Sequence, residues 1–206
     1  MKKVVLFFLM FFLSGCSIVR IDTSSIDNIL KVILTKDNKL FNQVGEGYKY
    51  YLPGGVTYID SDDLNDILYS NGVYYYLYID SIDYYYDIDT KYKEDDSLYY
   101  SKYISKNDGY KYSGYLQIKK QNNNKYIIEF LYNHAKIEAL VDEREINNTI
   151  LNSSYILSTI KYNHEITKLM LEEDFFTNKT GKYNNYKSKE TNEKFVLDKD
   201  TSIEEG

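Results

Sequence analysis

The chain has 206 residues, of which 43% are apolar and 27% are charged, a composition typical of one globular domain rather than of a disordered chain. The net charge is −6, and it is about −8 without the first fifteen residues, which carry Lys2 and Lys3. An acidic domain is repelled by nucleic acid and by anionic headgroups. The charge therefore argues against a nucleic-acid partner and against a domain held flat on a bilayer by charge attraction.

The amino-terminal segment has the pattern of a signal peptide. Lys2 and Lys3 precede an unbroken apolar run over residues 4–13. As a helix this run would be roughly 15 Å long, half the hydrocarbon thickness of a bilayer. It is too short for a permanent membrane span and has the length of a signal-peptide core.

The run ends in Leu13, Ser14, Gly15 and Cys16, which resemble the lipobox of bacterial lipoproteins. The resemblance covers only the first sixteen residues. It implies that a diacylglyceryl group is attached to the thiol of Cys16, that the signal peptide is cut between Gly15 and Cys16, and that acyl chains such as palmitate anchor the protein. The localisation implied is the cell membrane, on its extracytoplasmic side. Two alternatives are a secretory signal with an unrelated cysteine and a free core thiol.

A helix is predicted after a short lipidated tether over residues 16–23. Ser24 or Ser25 can cap its start. The apolar residues that follow share one helical face: they are Ile26, Ile29, Leu30 and Ile33.

From residue 48 the apolar period changes to two, which indicates strands. Residues 48–52 and 56–59 are predicted to form a hairpin around a turn at residues 53–55. The acidic stretch 60–65 is expected to form one helical turn. Asn71 and Gly72 stand between two apolar runs and give the strongest hairpin signal of the chain, because both residues accept a positive φ.

The strand after Gly72 predicts two different faces. The apolar residues at odd positions, which are Val73, Tyr75, Leu77 and Ile79, are expected to meet the helices. Tyr74, Tyr76 and Tyr78 are then predicted to point to solvent or to a ligand, and they form the candidate ligand face. Beyond residue 79 the apolar positions become even, which predicts a β-bulge or a break at residues 80–83.

The second half of the chain predicts more strands and a C-terminal helical region. Residues 87–108 are expected to be irregular, and residues 110–118, 126–132 and 137–141 to be strands. Asp142 and Glu145 have the spacing of a capping box before a helix with Ile146, Ile150, Leu157 and Ile160 on one face, and a shorter helix is expected over residues 165–171. Residues 177–206 are predicted to be a disordered tail.

These elements predict an α+β fold over residues 24–176. Its antiparallel sheet should have about five to seven strands, flanked by an N-terminal and a C-terminal helix.

The sequence offers little recognisable catalytic or metal chemistry. His134 and His164 stand apart without the short spacing of zinc ligands, so both are predicted to be ordinary surface histidines. Serine-hydrolase, metalloprotease and phosphate-loop motifs are missing from the sequence. No catalytic residue, metal ligand or cofactor is therefore assigned.

The acidic residues form two clusters, which begin at Asp60 and Asp80. Calcium binds such oxygen ligands, but neither cluster fits the EF-hand loop. Solvated acidic loops are the default interpretation. Paired carboxylates would also suit a glycosidase, although any acidic domain contains such pairs.

Tyrosine is unusually frequent, with 25 residues against 9 phenylalanines and no tryptophan. The excess indicates either a ligand platform or a compositional bias, since lysine, asparagine and isoleucine are also abundant. Three hypotheses follow: a non-catalytic interaction module for a protein or envelope component, a small solute- or glycan-binding lipoprotein, and an envelope enzyme that uses carboxylates. A tyrosine-lined groove would favour the second, and a pocket with two convergent carboxylates the third.

Overall fold

The structure is a computed structural model that describes residues 23–62 and 64–172. Over these residues the fold is α+β, as predicted, with a seven-stranded antiparallel sheet, a separate three-stranded sheet and four α-helices. The predicted signal peptide, nearly all of the tether and the predicted tail lie outside the described residues.

The secondary structure is defined as follows. The helices are α1 (Ile26–Leu34), α2 (Ser81–Tyr85), α3 (Ile146–Thr159) and α4 (His164–Glu172). The large sheet contains β3 (Thr57–Asp62), β4 (Asn65–Ser70), β5 (Val73–Ile79), β6 (Tyr100–Ile104), β7 (Gly114–Lys120), β8 (Lys125–Tyr132) and β9 (Ala135–Asp142). The small sheet contains β1 (Gln43–Val44), β2 (Tyr48–Tyr50) and β10 (Lys161–Tyr162).

The two helices that flank the large sheet start differently. The Oγ of Ser25 accepts a hydrogen bond from the backbone N–H of Asn28 at 3.3 Å, so the predicted cap of α1 is confirmed. The capping box predicted for α3 is wrong. Asp142 makes no side-chain cap, and a 3₁₀ turn over Glu143–Glu145 leads into the helix instead.

The strand order of the large sheet is β3-β4-β5-β9-β8-β7-β6, with every neighbour antiparallel. Asn71 and Gly72 form the predicted β4–β5 turn, with φ values of 51° and 81°. Because both values are positive, the two residues match what this tight turn requires. The turn places β5 near the middle of the sheet, between β4 and β9.

The hydrophobic core lies between one face of this sheet and the helices α1 and α3. The odd-numbered residues of β5 are buried in it, as predicted, and Leu77 is fully buried. Ile146, Ile150, Leu157 and Ile160 are buried as well, so the predicted apolar face of α3 is confirmed. Apolar residues that recur every second position in the strand and every three to four positions in the helix therefore form the core between the sheet and the helices.

The pairing of β2 differs from the prediction. β2 does not form a hairpin with β3 but pairs with β1 and β10 in the small sheet. The predicted helical turn over residues 60–65 is wrong too, because β3 extends to Asp62 and pairs with β4. Local alternation marks a strand, but it does not identify the partner of that strand.

The chain between β5 and β7 combines a confirmed break with a missed strand. β5 ends at Ile79 and α2 begins at Ser81, in the region where the change of period predicts a break. β6 lies inside the stretch expected to be irregular. The residues before β6 form a loop over the second face of the sheet, where Tyr92 donates or accepts a hydrogen bond with Ser101 at 2.8 Å.

Candidate functional site

A cleft of about 460 Å³ opens between the small sheet and the start of α4. Its wall combines rings, ammonium groups and apolar side chains, from Val44, Tyr48, Lys49, Lys161, Tyr162, His164 and Ile166. Glu165 is the one carboxylate in the lining of this cleft. The cleft can thus contact a ligand through aromatic and cationic groups, but it does not contain a pair of carboxylates.

The β1–β2 turn and the start of α4 are tied together at the cleft. The backbone N–H of Asn163 donates to the carbonyl of Gly47 at 2.8 Å. The Oδ1 of Asn163 accepts from the N–H groups of Glu165 and Ile166 at 3.2 and 3.3 Å and so caps α4. Gly47 has a φ of 80°, which favours glycine in this turn. These contacts determine the distance between two walls of the cleft.

A buried carboxylate holds the small sheet against the large one. Asp66 of β4 is 4% exposed, and it accepts hydrogen bonds from the hydroxyls of Tyr50 at 2.7 Å and Tyr48 at 3.1 Å. Burial raises the pKa of Asp66 above its usual value of 3.8, although both hydroxyl donors oppose the rise. Since Tyr48 also lines the cleft, Asp66 positions part of the cleft wall.

An aromatic cluster supports the opposite wall. Tyr84 of α2 stacks on Tyr162 with a centroid distance of 4.1 Å, and Tyr85 stacks on His164 at 4.9 Å. The hydroxyl of Tyr162 donates to the backbone carbonyls of Asn133 and His134, at 3.0 and 2.7 Å. The cluster therefore fixes α2, β10 and α4 relative to one another.

Both histidines contact Tyr84, with centroid distances of 6.0 Å for His134 and 6.5 Å for His164. His164 is exposed as predicted, whereas His134 is half-buried, so its prediction as a surface residue is wrong. Burial lowers the pKa of His134 below 6.5, which favours the neutral ring. Burial and the nearby Asp80 raise the pKa of Asp83 to about 6.

The candidate ligand face lies where the sequence places it, opposite the core. Tyr74 and Tyr78 are half-buried there, but Tyr76 is only 8% exposed. The expected orientation of the three rings toward solvent therefore does not hold for Tyr76. Whether any of the three rings contacts a ligand stays a prediction.

Charged residues are also buried on this second face. Tyr76, Glu138 and Glu129 lie directly opposite one another across β5, β9 and β8. Glu138, 7% exposed, forms a salt bridge with Lys136, and Glu129 accepts a hydrogen bond from the hydroxyl of Tyr115. Sequence alternation alone did not indicate this network, because Lys136 and Glu138 occupy positions that are normally exposed.

The two acidic clusters do not form a metal centre in the part of the chain that the structure describes. No group of three or more acidic, histidine or cysteine residues there has a geometry that could hold a metal ion. The first cluster is dispersed, because Asp60 is exposed on β3 while Asp66 is buried. In the second, the carboxylate of Asp80 accepts from the N–H of Asp83 at 2.8 Å and caps α2.

The cleft has no clear signal in the sequence. Its walls come from β2 and from β10 and α4, which lie more than a hundred residues later in the chain, and they meet through a strand pairing that alternation does not reveal. No family model, curated protein or solved structure matches the chain. Within residues 23–62 and 64–172, no helix is long and apolar enough to cross a membrane.

Proposed function

We propose that this chain is a lipoprotein anchored through Cys16 on the extracytoplasmic side of the cell membrane, and that its domain binds a small solute or an envelope glycan without transforming it. The observation that carries the binding part is the cleft between the small sheet and α4. Its volume of about 460 Å³ lies within the range common for small-molecule sites. This cleft, rather than the face that carries Tyr74, Tyr76 and Tyr78, is the binding site that we propose.

The chemistry of the cleft suits a ligand with both flat or apolar parts and polar parts. The hydroxyls of Tyr48 and Tyr162 already donate to Asp66 and to backbone carbonyls. Tyr48 is only 4% exposed, and Tyr84 covers one face of Tyr162, so a ligand meets mainly the remaining surface of the Tyr162 ring, which can stack on a sugar or another flat group. Lys49 and Lys161 add positive charge to an otherwise acidic protein.

Catalysis by paired carboxylates receives less support. Glu165 is the one carboxylate that lines the cleft, whereas Glu129 and Glu138 lie opposite each other on the second face of the large sheet. Glu138 is engaged by Lys136, and Glu129 by Tyr115. A general acid and a general base must both reach one substrate, and the cleft does not offer such a pair.

The anchor rests on the lipobox, so the first experiment replaces its cysteine. Cys16→Ser should abolish labelling of the chain with radioactive palmitate and leave the uncut precursor, because the thiol is the site of acylation. Labelling and chain length are read on one gel. Ser17→Ala is the matched control and should keep both label and processing. A Cys16→Ser chain that is processed and held in the membrane like the parent would refute the lipoprotein assignment.

The second experiment fills the cleft. Val44 is 73% exposed and lines the cleft, so Val44→Trp should reduce the space for a ligand without disturbing the core. The full chain is purified from its own membranes in a mild detergent, and the small molecules released on denaturation are identified by mass. The parent chain should release a ligand that Val44→Trp has lost.

Leu169→Trp is the control for this substitution, because Leu169 is 54% exposed on α4 but is not part of the cleft lining. It should keep the ligand, and both variants should melt close to the parent. Equal retention of the ligand by Val44→Trp and the parent would place the binding site elsewhere.

A further inference from the structure

Two lysines face each other across the strands that form the cleft. The register of the small sheet places Lys161 of β10 directly opposite Lys49 of β2, so both side chains lie on the same face. Like charges in this position repel each other and destabilise a strand pair. Among the described residues, neither lysine has a carboxylate within salt-bridge distance. Asp37 interacts electrostatically with Lys161 from farther away and offsets part of this repulsion. An anion bound by both lysines would remove the rest of it.

The surroundings place this positive charge beside apolar surface. The Nζ of Lys49 lies 4.1 Å from the centre of the Phe41 ring, which restricts where the ammonium group can move. Val44 and Ile166 line the same cleft and are both exposed, with 73% and 39% of their surface accessible. The two lysines and an apolar rim therefore border the same cleft.

The backbone at the start of α4 contributes less to an anion site than the lysines do. Asn163 already accepts hydrogen bonds from the N–H groups of Glu165 and Ile166, so these donors are engaged. Glu165 adds one negative charge to the lining. The attraction for an anion must then come from the lysine pair, whose three donors per ammonium suit a compact oxyanion.

We infer that the cleft binds the phosphate group of a phosphorylated ligand between Lys49 and Lys161, with the remainder of the ligand against Val44 and Ile166. This inference rests on the proposed binding function and specifies its ligand class. A bare phosphate would leave most of the 460 Å³ unfilled, so the natural ligand is larger. Two sources offer this chemistry: a soluble phosphate ester and the headgroup of a phospholipid.

The test measures melting of the full chain in a neutral detergent with three probes: inorganic phosphate, dihexanoylphosphatidylglycerol and dihexanoylphosphatidylcholine. A ligand that binds only the folded state raises the melting temperature, and phosphate should raise it by about 2 °C or more. Lys49→Gln and Lys161→Gln should each weaken phosphate binding about tenfold, because each removes one charge-assisted contact. Without phosphate, both variants should melt close to the parent, because each removes the repulsion together with one favourable contact, to Asp37 for Lys161 and to Phe41 for Lys49.

Lys119→Gln is the matched control. Lys119 is exposed on β7, and its strand neighbour is Ile127 rather than another lysine. This variant should bind phosphate like the parent and gain no stability. If phosphatidylglycerol stabilises the parent more than phosphate or phosphatidylcholine does, the source is a lipid headgroup. If phosphate is at least as effective as the lipid, a soluble ester is indicated.

Two results would overturn the inference. One is an equal rise in melting temperature with sodium chloride at matched ionic strength. The other is phosphate binding by Lys161→Gln that equals that of Lys119→Gln. Both results are independent of the Val44→Trp experiment. If phosphate does not bind but Val44→Trp loses the native ligand, the phosphate inference fails and the proposed function still stands. The opposite combination is also informative. If phosphate binding depends on the lysines but Val44→Trp keeps the native ligand, the proposed function is contradicted.

Discussion

Leu77→Ala should lower the free energy of unfolding by about 2–5 kcal/mol, because it leaves a cavity in the middle of the core. Leu77 is fully buried on β5, between β4 and β9. Urea unfolding followed by circular dichroism gives the value. Leu77→Met is the volume-conserving control and should cost less than about 1.5 kcal/mol. A cost below about 1 kcal/mol for the alanine variant would mean that this face of β5 is not the core face.

The neighbouring residue tests the second face of the same strand. If Tyr76 were on an open platform, Tyr76→Ser would cost much less than Leu77→Ala. The ring is only 8% exposed, so its loss should instead cost an amount of the same order. If Tyr76→Ser and Leu77→Ala lower the free energy of unfolding by similar amounts, the large sheet is covered on both faces at this point.

Asp66→Ala should destabilise the domain by about 2–4 kcal/mol, because it removes the shared acceptor of two buried hydroxyls. The hydroxyls of Tyr48 and Tyr50 lose the oxygens that connect the small sheet to β4. The free energy of unfolding at pH 7 gives the value. Cleft binding should weaken in this variant as well, since Tyr48 lines the cleft. A change below about 0.5 kcal/mol would mean that Asp66 does not hold the two sheets together.

Asp66→Asn separates the hydrogen bonds from the charge. Folding raises the pKa of Asp66 above 3.8, so the folded state binds the proton of this carboxyl more tightly than the unfolded state does. The resulting stabilisation is fully present below pH 3.8, and it is lost as the pH rises through the pKa of the folded state. Asparagine keeps the size and one acceptor oxygen without ionising. Relative to the parent, Asp66→Asn should therefore become more stable as the pH rises from 4 to 7. A relative loss of stability over that range would show that the ionised carboxylate is favoured in the fold.

The sequence predicted the elements whose signals are local. Asn71 and Gly72 determine a tight turn by their own backbone preferences, and the odd positions of β5 determine which face is buried. Ser25 caps α1 through a contact three residues away. In each case the interaction that decides the structure lies within a few residues of the signal, so it can be predicted from the sequence.

The missed features depend on long-range partners. β2 alternates like a strand of the large sheet, but Tyr48 and Tyr50 reach a carboxylate on β4, and the strand pairs with β10 more than a hundred residues later. The cleft follows from that pairing. Lys49 and Lys161 look like ordinary surface lysines in the sequence, and only the register reveals that they face each other.

Whether a ligand occupies the cleft is tested by photo-crosslinking in living cells. Benzoylphenylalanine is placed at Glu165, which is exposed in the lining of the cleft, or at Tyr74 on the second sheet face, and the mass of the irradiated chain is measured after purification. A ligand adduct is expected at position 165, with little or none at position 74. An adduct at position 74 with none at position 165 would contradict the proposed site and would place binding on the tyrosine face of the large sheet.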